Sequence, residues 1–220
     1  MHPATQAGKY LAIFLIIMGV GTFLGVISNL TEMILSKSEK QTMMKKLNVV
    51  IGVFLSEFGA KLLSVLSNYD PTLDKIRSEL ILEEDWAEED CLKLRKHLMN
   101  YKENIEAEKV DFDYIKTLLS DNKDFLLILL ENPILLEHES FNDLMQACFH
   151  LYEELVSRTD YSPLTEMDRN NLIVDIKRVY HLLIIQWFEY MKYLKDNYPY
   201  LFSYSIRTNP FSKGTSQAEK

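Results

Sequence analysis

The sequence predicts an all-α protein: one N-terminal transmembrane helix followed by a multi-helix cytoplasmic domain. Three observations carry this. Tyr10 to Leu30, YLAIFLIIMGVGTFLGVISNL, is a run of 21 residues without a charged side chain. Further along, apolar residues recur at helical spacing in segment after segment. Only 7 Gly and 6 Pro punctuate 220 residues, too few for the many turns of a stranded fold.

In helical form the first run rises about 1.5 Å per residue and spans roughly 30 Å, the thickness of a bilayer's hydrocarbon core. A signal peptide is the competing reading. Against it, the run is longer than a typical apolar signal region, follows only Lys9, lacks an Ala-x-Ala cleavage site and continues into the helix-favouring TEMILSKSEKQTMMKK. Lys9 precedes the run, whereas Lys37, Lys40, Lys45 and Lys46 follow closely. The positive-inside rule therefore puts the N-terminus outside the cell membrane and residues 36–220 in the cytoplasm. The expected organisation is a linker and span at 1–35, a basic helical linker at 36–46, an all-helical cytoplasmic domain at 47–210 and a polar, disordered tail at 211–220.

Leu47 to Leu66 is the second apolar segment. It carries Glu57 and Lys61 on one helix face, and charge near the middle of a span is costly. Leu47, Val50, Ile51, Phe54, Leu55, Phe58, Leu62, Val65 and Leu66 form the stripe of an amphipathic helix, which either a domain core or a membrane face can cover. A strand over Asn48–Phe54 opening a nucleotide-binding unit fits less well, because Gly52 and Gly59 miss the G-x-G-x-x-G pattern and no βαβ alternation follows. Asp70-Pro71 reads as an N-cap with proline in the first turn. Helices are expected at 71–82, 86–100, 112–131, near 139–158 and at about 165–196. Asp111 and Asp121 are cap candidates, Asn132-Pro133 is a break, and Ser162-Pro163 sets up the longest cytoplasmic helix.

A net charge of −8 argues against a nucleic-acid partner. Cys91 and Cys148 lie far apart without metal-ligand spacing and read as reduced core residues. Glu83-Glu84-Asp85 and Glu88-Glu89-Asp90 lack the loop glycine and alternating ligands of a calcium site, so they read as a solvated helix start. Glu131, Glu137, His138, Glu139, His150, Glu153 and Glu154 resemble a metal cluster, but His150-x-x-Glu153 reverses the Glu-x-x-His order of helical di-metal proteins and has no second copy. No nucleophile motif or phosphate-cradling loop is present, so neither enzymatic activity nor a cofactor is expected. The aromatic-rich stretch from Trp187 to Tyr204 reads as core or interface. Its lysines alternatively suit an anionic lipid surface.

Inside the span, Gly21-x-x-x-Gly25 favours close helix–helix packing in lipid, and the glycines also lower the cost of bending the helix. Read together, His2-Pro3-Ala-Thr5-Gln-Ala-Gly8-Lys-Tyr10 and Ile17-Met-Gly19-Val-Gly21-Thr22-Phe23 resemble the second half of a two-transmembrane-type potassium-channel pore module. In that family the filter Thr-x-Gly-Tyr-Gly-Asp is followed by a Pro-x-Thr-x-x-Gly linker and an inner helix with a Gly-x-Gly-Thr-Phe-like centre. Pro3, Thr5 and Gly8 match the linker; Gly19, Gly21, Thr22 and Phe23 match the helix. The match covers about residues 2–35. The remainder is similar to the helical C-terminal region of some prokaryotic channel-like proteins, in Glu131-Asn-Pro-Ile-Leu-Leu-Glu137-His138-Glu139 and Tyr198-Pro-Tyr-Leu-Phe202.

The resemblance implies a gating hinge at Gly19 and Gly21, with the inner-pore narrowing near Leu24 and Ser28. It also implies a homotetramer in the lipid bilayer. It departs from the family in having no outer helix, pore helix or filter. Selectivity comes from rings of filter carbonyls, so the chain as written engages potassium only if a filter is supplied. A late start codon or broken gene, a split channel completed by another chain, and an anchor put to another use are the competing explanations. The resulting expectation is a potassium-channel subunit or fragment: an inner helix plus a cytoplasmic regulatory domain. The alternative is a single-span, membrane-anchored helical interaction module.

Overall fold

The computed structural model describes residues 5–84, 86–136, 138–158, 161 and 164–212. Among the described residues the regular structure is entirely helical. Two compact units divide the chain at Lys46 and Leu47, and helix α1 (Gln6–Phe54) contributes residues to both.

The first unit is the greater part of α1. Thr5 begins the helix, its hydroxyl accepting from the Gly8 N–H at 3.3 Å and its carbonyl from the Lys9 N–H at 3.2 Å. A threonine oxygen satisfies the first free amides in this way because they have no partner inside the helix. Gly8, expected in a linker, lies within the first turns of α1, and Pro3 lies outside the described residues. The helix continues unbroken through 36–46, where a helical linker is expected.

The second unit has its own core. Leu47, Ile51 and Phe54 of α1 enter it, followed by a π-helical turn (Leu55–Gly59), in which the Ala60 N–H reaches back to the Leu55 carbonyl, and by α2 (Ala60–Ser67). The amphipathic stripe of residues 47–66 is covered by protein. Phe54, Leu62, Leu63 and Leu66 have no exposed surface, while Glu57 and Lys61 remain exposed. A buried side chain of this size contributes about 1.5–3 kcal/mol. The π turn has no counterpart in the sequence pattern. Gly59 sits in it with the Phe54 ring where a Cβ would stand, so one bulky residue packed against a glycine accommodates the wider turn.

Asp70 and Pro71 start a 3-10 turn (Pro71–Lys75) and a short α3 (Arg77–Leu80), where one helix over 71–82 is expected. Then come α4 (Glu88–Met99), α5 (Phe112–Asp121), α6 (Lys123–Leu130), α7 (Pro133–Leu136), α8 (Glu139–Val156), α9 (Glu166–Asn197) and α10 (Pro199–Arg207). The expected helix at 112–131 is broken between α5 and α6. Asn122 stands at the break and turns its side-chain amide back to the Leu118 carbonyl at 2.9 Å, so Asn122 rather than Asp121 marks the boundary. Asp111 caps α5 by accepting from the Tyr114 N–H at 2.8 Å, and Thr165 caps α9. Ser162 and Pro163 lie outside the described residues.

Helix α9 is the central strut, packed by α8, α2, α4 and α10, while α5 and α6 lie against α8. Its buried Leu172, Ile176, Val179, Leu183, Trp187, Met191 and Leu194 are spaced at three and four residues, which keeps one face turned inward along the helix. Helix α10 adds an element beyond those expected. It starts from Pro199, whose fixed φ suits a first helical position. The tail expectation is corrected at its start: Phe211 is fully buried edge-on against Trp187, with centroids 5.0 Å apart, and its carbonyl accepts from Arg77 Nη1 at 2.7 Å. Residues 213–220 of the expected tail lie outside the described residues.

Candidate functional site

In the first unit the candidate site is α1 itself. Its most apolar window has mean hydropathy 2.5 and no buried residues, so the helix is long and apolar enough to cross a membrane. Around Gly19, Gly21 and Gly25 a Cβ would meet nothing within 4 Å. Gly21, Leu24, Gly25 and Ser28 recur at three- and four-residue steps and so share one face, whereas Gly19 stands on a different side. A face built from glycine and serine lets another helix backbone approach closely in lipid. The Thr22 hydroxyl donates to the Met18 and Gly19 carbonyls at 2.9 and 3.0 Å. This back-bonding shields the polar group inside an apolar helix and loosens the ladder beside Gly19. The helix stays α-helical through Gly19 and Gly21.

In the second unit the densest polar cluster surrounds Asp70, which is 3% exposed. Its Oδ1 accepts from the Thr72 N–H at 2.9 Å, the Thr72 hydroxyl at 2.6 Å and the Asn104 N–H at 3.3 Å; its Oδ2 accepts from the Tyr101 hydroxyl. A buried carboxylate is tolerable only when its lone pairs are filled in this way. Burial, reinforced by the bond to Asp70, pushes the Tyr101 phenol well above its usual range. Tyr180 is also fully buried, and its hydroxyl has no hydrogen-bond partner among the described groups. Next to Tyr180 in sequence, His181 Nδ1 meets Glu103 Oε1. The bond to Glu103 raises the imidazole above its ordinary value, against the opposing effect of burial.

Two other histidine–carboxylate pairs lie nearer the surface. His97 Nδ1 is 2.7 Å from Glu79 Oε2, beside an open cleft of about 410 Å³ that Trp86, Asp90 and Lys93 also line. His150 Nε2 is 3.8 Å from Asp175 Oδ1. Burial raises the Asp175 carboxyl, and His150 opposes that rise. Among the described residues no three His, Cys, Asp or Glu side chains group as a metal site. His138 caps α8 by accepting from the Phe141 N–H at 3.4 Å, and Glu137 lies outside the described residues. Both cysteines are free and buried; burial pushes the Cys148 thiol up to about 12, far from a reactive thiolate.

The aromatic stretch divides between core and surface. Trp187, Phe188 and Phe202 are buried, while Tyr200 and Tyr204 project from α10 at 72% and 59% exposure. Sequence reasoning missed the Asp70 cluster beyond its cap role, because Tyr101, Asn104 and Tyr180 are joined to it only by the fold. The sole sequence signal was Asp70-Pro71 itself.

The family model described as "Uncharacterized protein MJ1433, C-terminal helical domain" matches residues 43–207. The chain is similar to "Uncharacterized protein MJ1433" of Methanocaldococcus jannaschii, at 47% identity over 186 residues that cover 84% of this chain and 74% of the relative. No solved structure matches. The chain belongs to the MJ1433 C-terminal helical domain family.

Proposed function

We propose that this member of the MJ1433 family is a potassium-channel subunit in the cell membrane. In this reading Tyr10–Leu30 is the pore-lining inner helix, outside to inside, and residues 47–212 are a cytoplasmic domain that biases its gate. The observation that carries the reading is the ordered set Thr5, Gly8, Gly19, Gly21, Thr22 and Phe23, the last four on the uncharged Tyr10–Leu30 run of α1, whose most apolar window has no buried residue. Four such helices around an axis expose Leu24 and Ser28 toward the narrowing, and Gly19 gives the bend. The chemistry that selects potassium is a ring of backbone carbonyls. The test starts with the nucleotide sequence directly ahead of the Met1 codon. A frame encoding Thr-x-Gly-Tyr-Gly-Asp, preceded by two apolar helices, is the expected result. That product, reconstituted in liposomes, is expected to pass potassium in preference to sodium. A filterless upstream frame together with tight liposomes overturns the reading.

A second reading, a single-span anchor for a helical interaction module, draws on the exposed face of α10. Leu201 and Tyr204 border a groove of about 200 Å³ that Trp187, Met191 and Leu194 also line. An exposed tyrosine beside an apolar groove suits a protein partner. Leu201→Asp, which puts a charge at the groove's edge, read as loss of a co-purifying partner with ion flux absent in both forms, favours this reading over the channel.

A further inference from the structure

The segment Tyr101–Asp111 contains no helix, yet it is ordered by its bonds. On one side Tyr101 and the Asn104 N–H bind Asp70, and the Glu106 N–H donates to the Tyr69 carbonyl at 3.0 Å. On the other side two side chains of α9 hold it: Arg169 Nη1 donates to the Ala107 carbonyl at 3.3 Å, and His181 meets Glu103. Ile105 and Val110 anchor it in the core. The two α9 tethers differ in kind. Arginine keeps its charge throughout the accessible pH range, whereas histidine is the side chain that changes charge near neutrality.

We propose that the Glu103–His181 contact is a proton-operated clasp. Protonation of His181 fastens the Tyr101–Asp111 segment to α9, and deprotonation releases it, so the helical domain carries its own sensitivity to pH. Glu103 is the anion facing His181 from the segment, and it is only 13% exposed. Tyr101 and Asp70 lie beyond it, and both also face Tyr180, which precedes His181 on α9. One turn earlier on α9 stand Lys177 and Arg178, the basic residues nearest His181 along that helix. Protonated, the ring gives the mostly buried carboxylate a charged donor; neutral, it leaves that carboxylate facing a ring without charge. The histidine side chains of the His97–Glu79 and His150–Asp175 pairs are more than half exposed, so water screens those contacts more than the Glu103–His181 one. The clasp lies within residues 47–212 and is independent of whether α1 lines a pore.

Amide hydrogen exchange of Asn104 and Glu106 in the full chain, held in lipid nanodiscs, tests the clasp between about pH 6 and about pH 8.5. After correction for intrinsic exchange, protection is expected to fall as pH rises, by about tenfold for each pKa unit that pairing adds to His181. In His181→Gln, which keeps a donor without the titration, and in Glu103→Gln, which keeps the shape without the charge, that pH dependence is expected to vanish. Protection that is flat with pH in the unaltered chain overturns the clasp, as does pH-dependent protection that persists in His181→Gln.

Discussion

The phenol of Tyr101 donates to Asp70 Oδ2 across 31 positions of sequence, joining a loop with no helix to the cap that starts the 3-10 turn. The bond makes one buried carboxylate the meeting point of two stretches of chain, 70–72 and 101–104. Tyr101→Phe removes one donor and leaves the others on Asp70, so it is expected to destabilise the protein by about 1–3 kcal/mol. Asp70→Ala, which orphans the Thr72 and Asn104 amides together, is expected to cost more. Denaturation midpoints of the two variants check the order.

Gly52 faces the hydroxyl of Tyr190, and a Cβ there would collide with it. Gly52→Ala is therefore expected to destabilise by about 1–3 kcal/mol despite alanine's better helix propensity. The collision is with an oxygen on a ring, so Tyr190→Phe in the same chain is expected to restore most of the loss. A thermal-melt double-mutant cycle measures the coupling. Additive effects would rule out the steric account.

Phe211 fills space against Trp187, and Asn209 fixes the turn that delivers it by donating to the Leu80 carbonyl at 2.7 Å and accepting from the Phe211 N–H at 2.9 Å. Phe211→Ala empties a fully buried site and is expected to cost about 3–5 kcal/mol. Thermal melts of the variant beside the unaltered chain measure that cost.

Sequence pattern reached most of this architecture because helical periodicity is local. The stripe from Leu47 to Leu66, the caps at Asp70 and Asp111, and the long α9 all announce themselves within a few residues. What escaped was decided by contacts distant in sequence. Nothing near Phe211 in the chain says that Trp187 and Arg77 receive it. Likewise, Glu103 and His181 are 78 positions apart and become a pair only when α9 lies beside the 101–111 segment. The break at Asn122 is short-range but subtle, since it rests on one amide turning back to a carbonyl rather than on a Gly or Pro.

The raised imidazole of His181 sets a sign for global stability. A histidine whose folded-state pKa exceeds its unfolded value contributes fully below the unfolded value, about 6.5. The contribution is lost as pH rises through the higher folded-state value. Unfolding free energy is therefore expected to decline from about pH 6.5 upward. The pair is partly solvated, so the change is under about 1 kcal/mol. His181→Gln is expected to flatten that portion of the profile in denaturant titrations.

Gly19 offers the sharpest check of the channel reading, because its surroundings remove the usual confounder. A Cβ at Gly19 meets no atom within 4 Å, so alanine is sterically free, and it favours the helix by about 1 kcal/mol over glycine. Gly19→Ala is thus expected to leave folding and helical content intact while stiffening α1 at the turn where Thr22 already draws on the Met18 and Gly19 carbonyls. In a reconstituted full-length channel that stiffening is expected to lower open probability. Gly25→Leu, on the face shared with Gly21 and Ser28, is expected instead to weaken helix association in detergent. Both effects point to a bending helix packed against its copies. Unchanged open probability in Gly19→Ala, with assembly lost in Gly25→Leu, would keep the packed helix and remove the hinge.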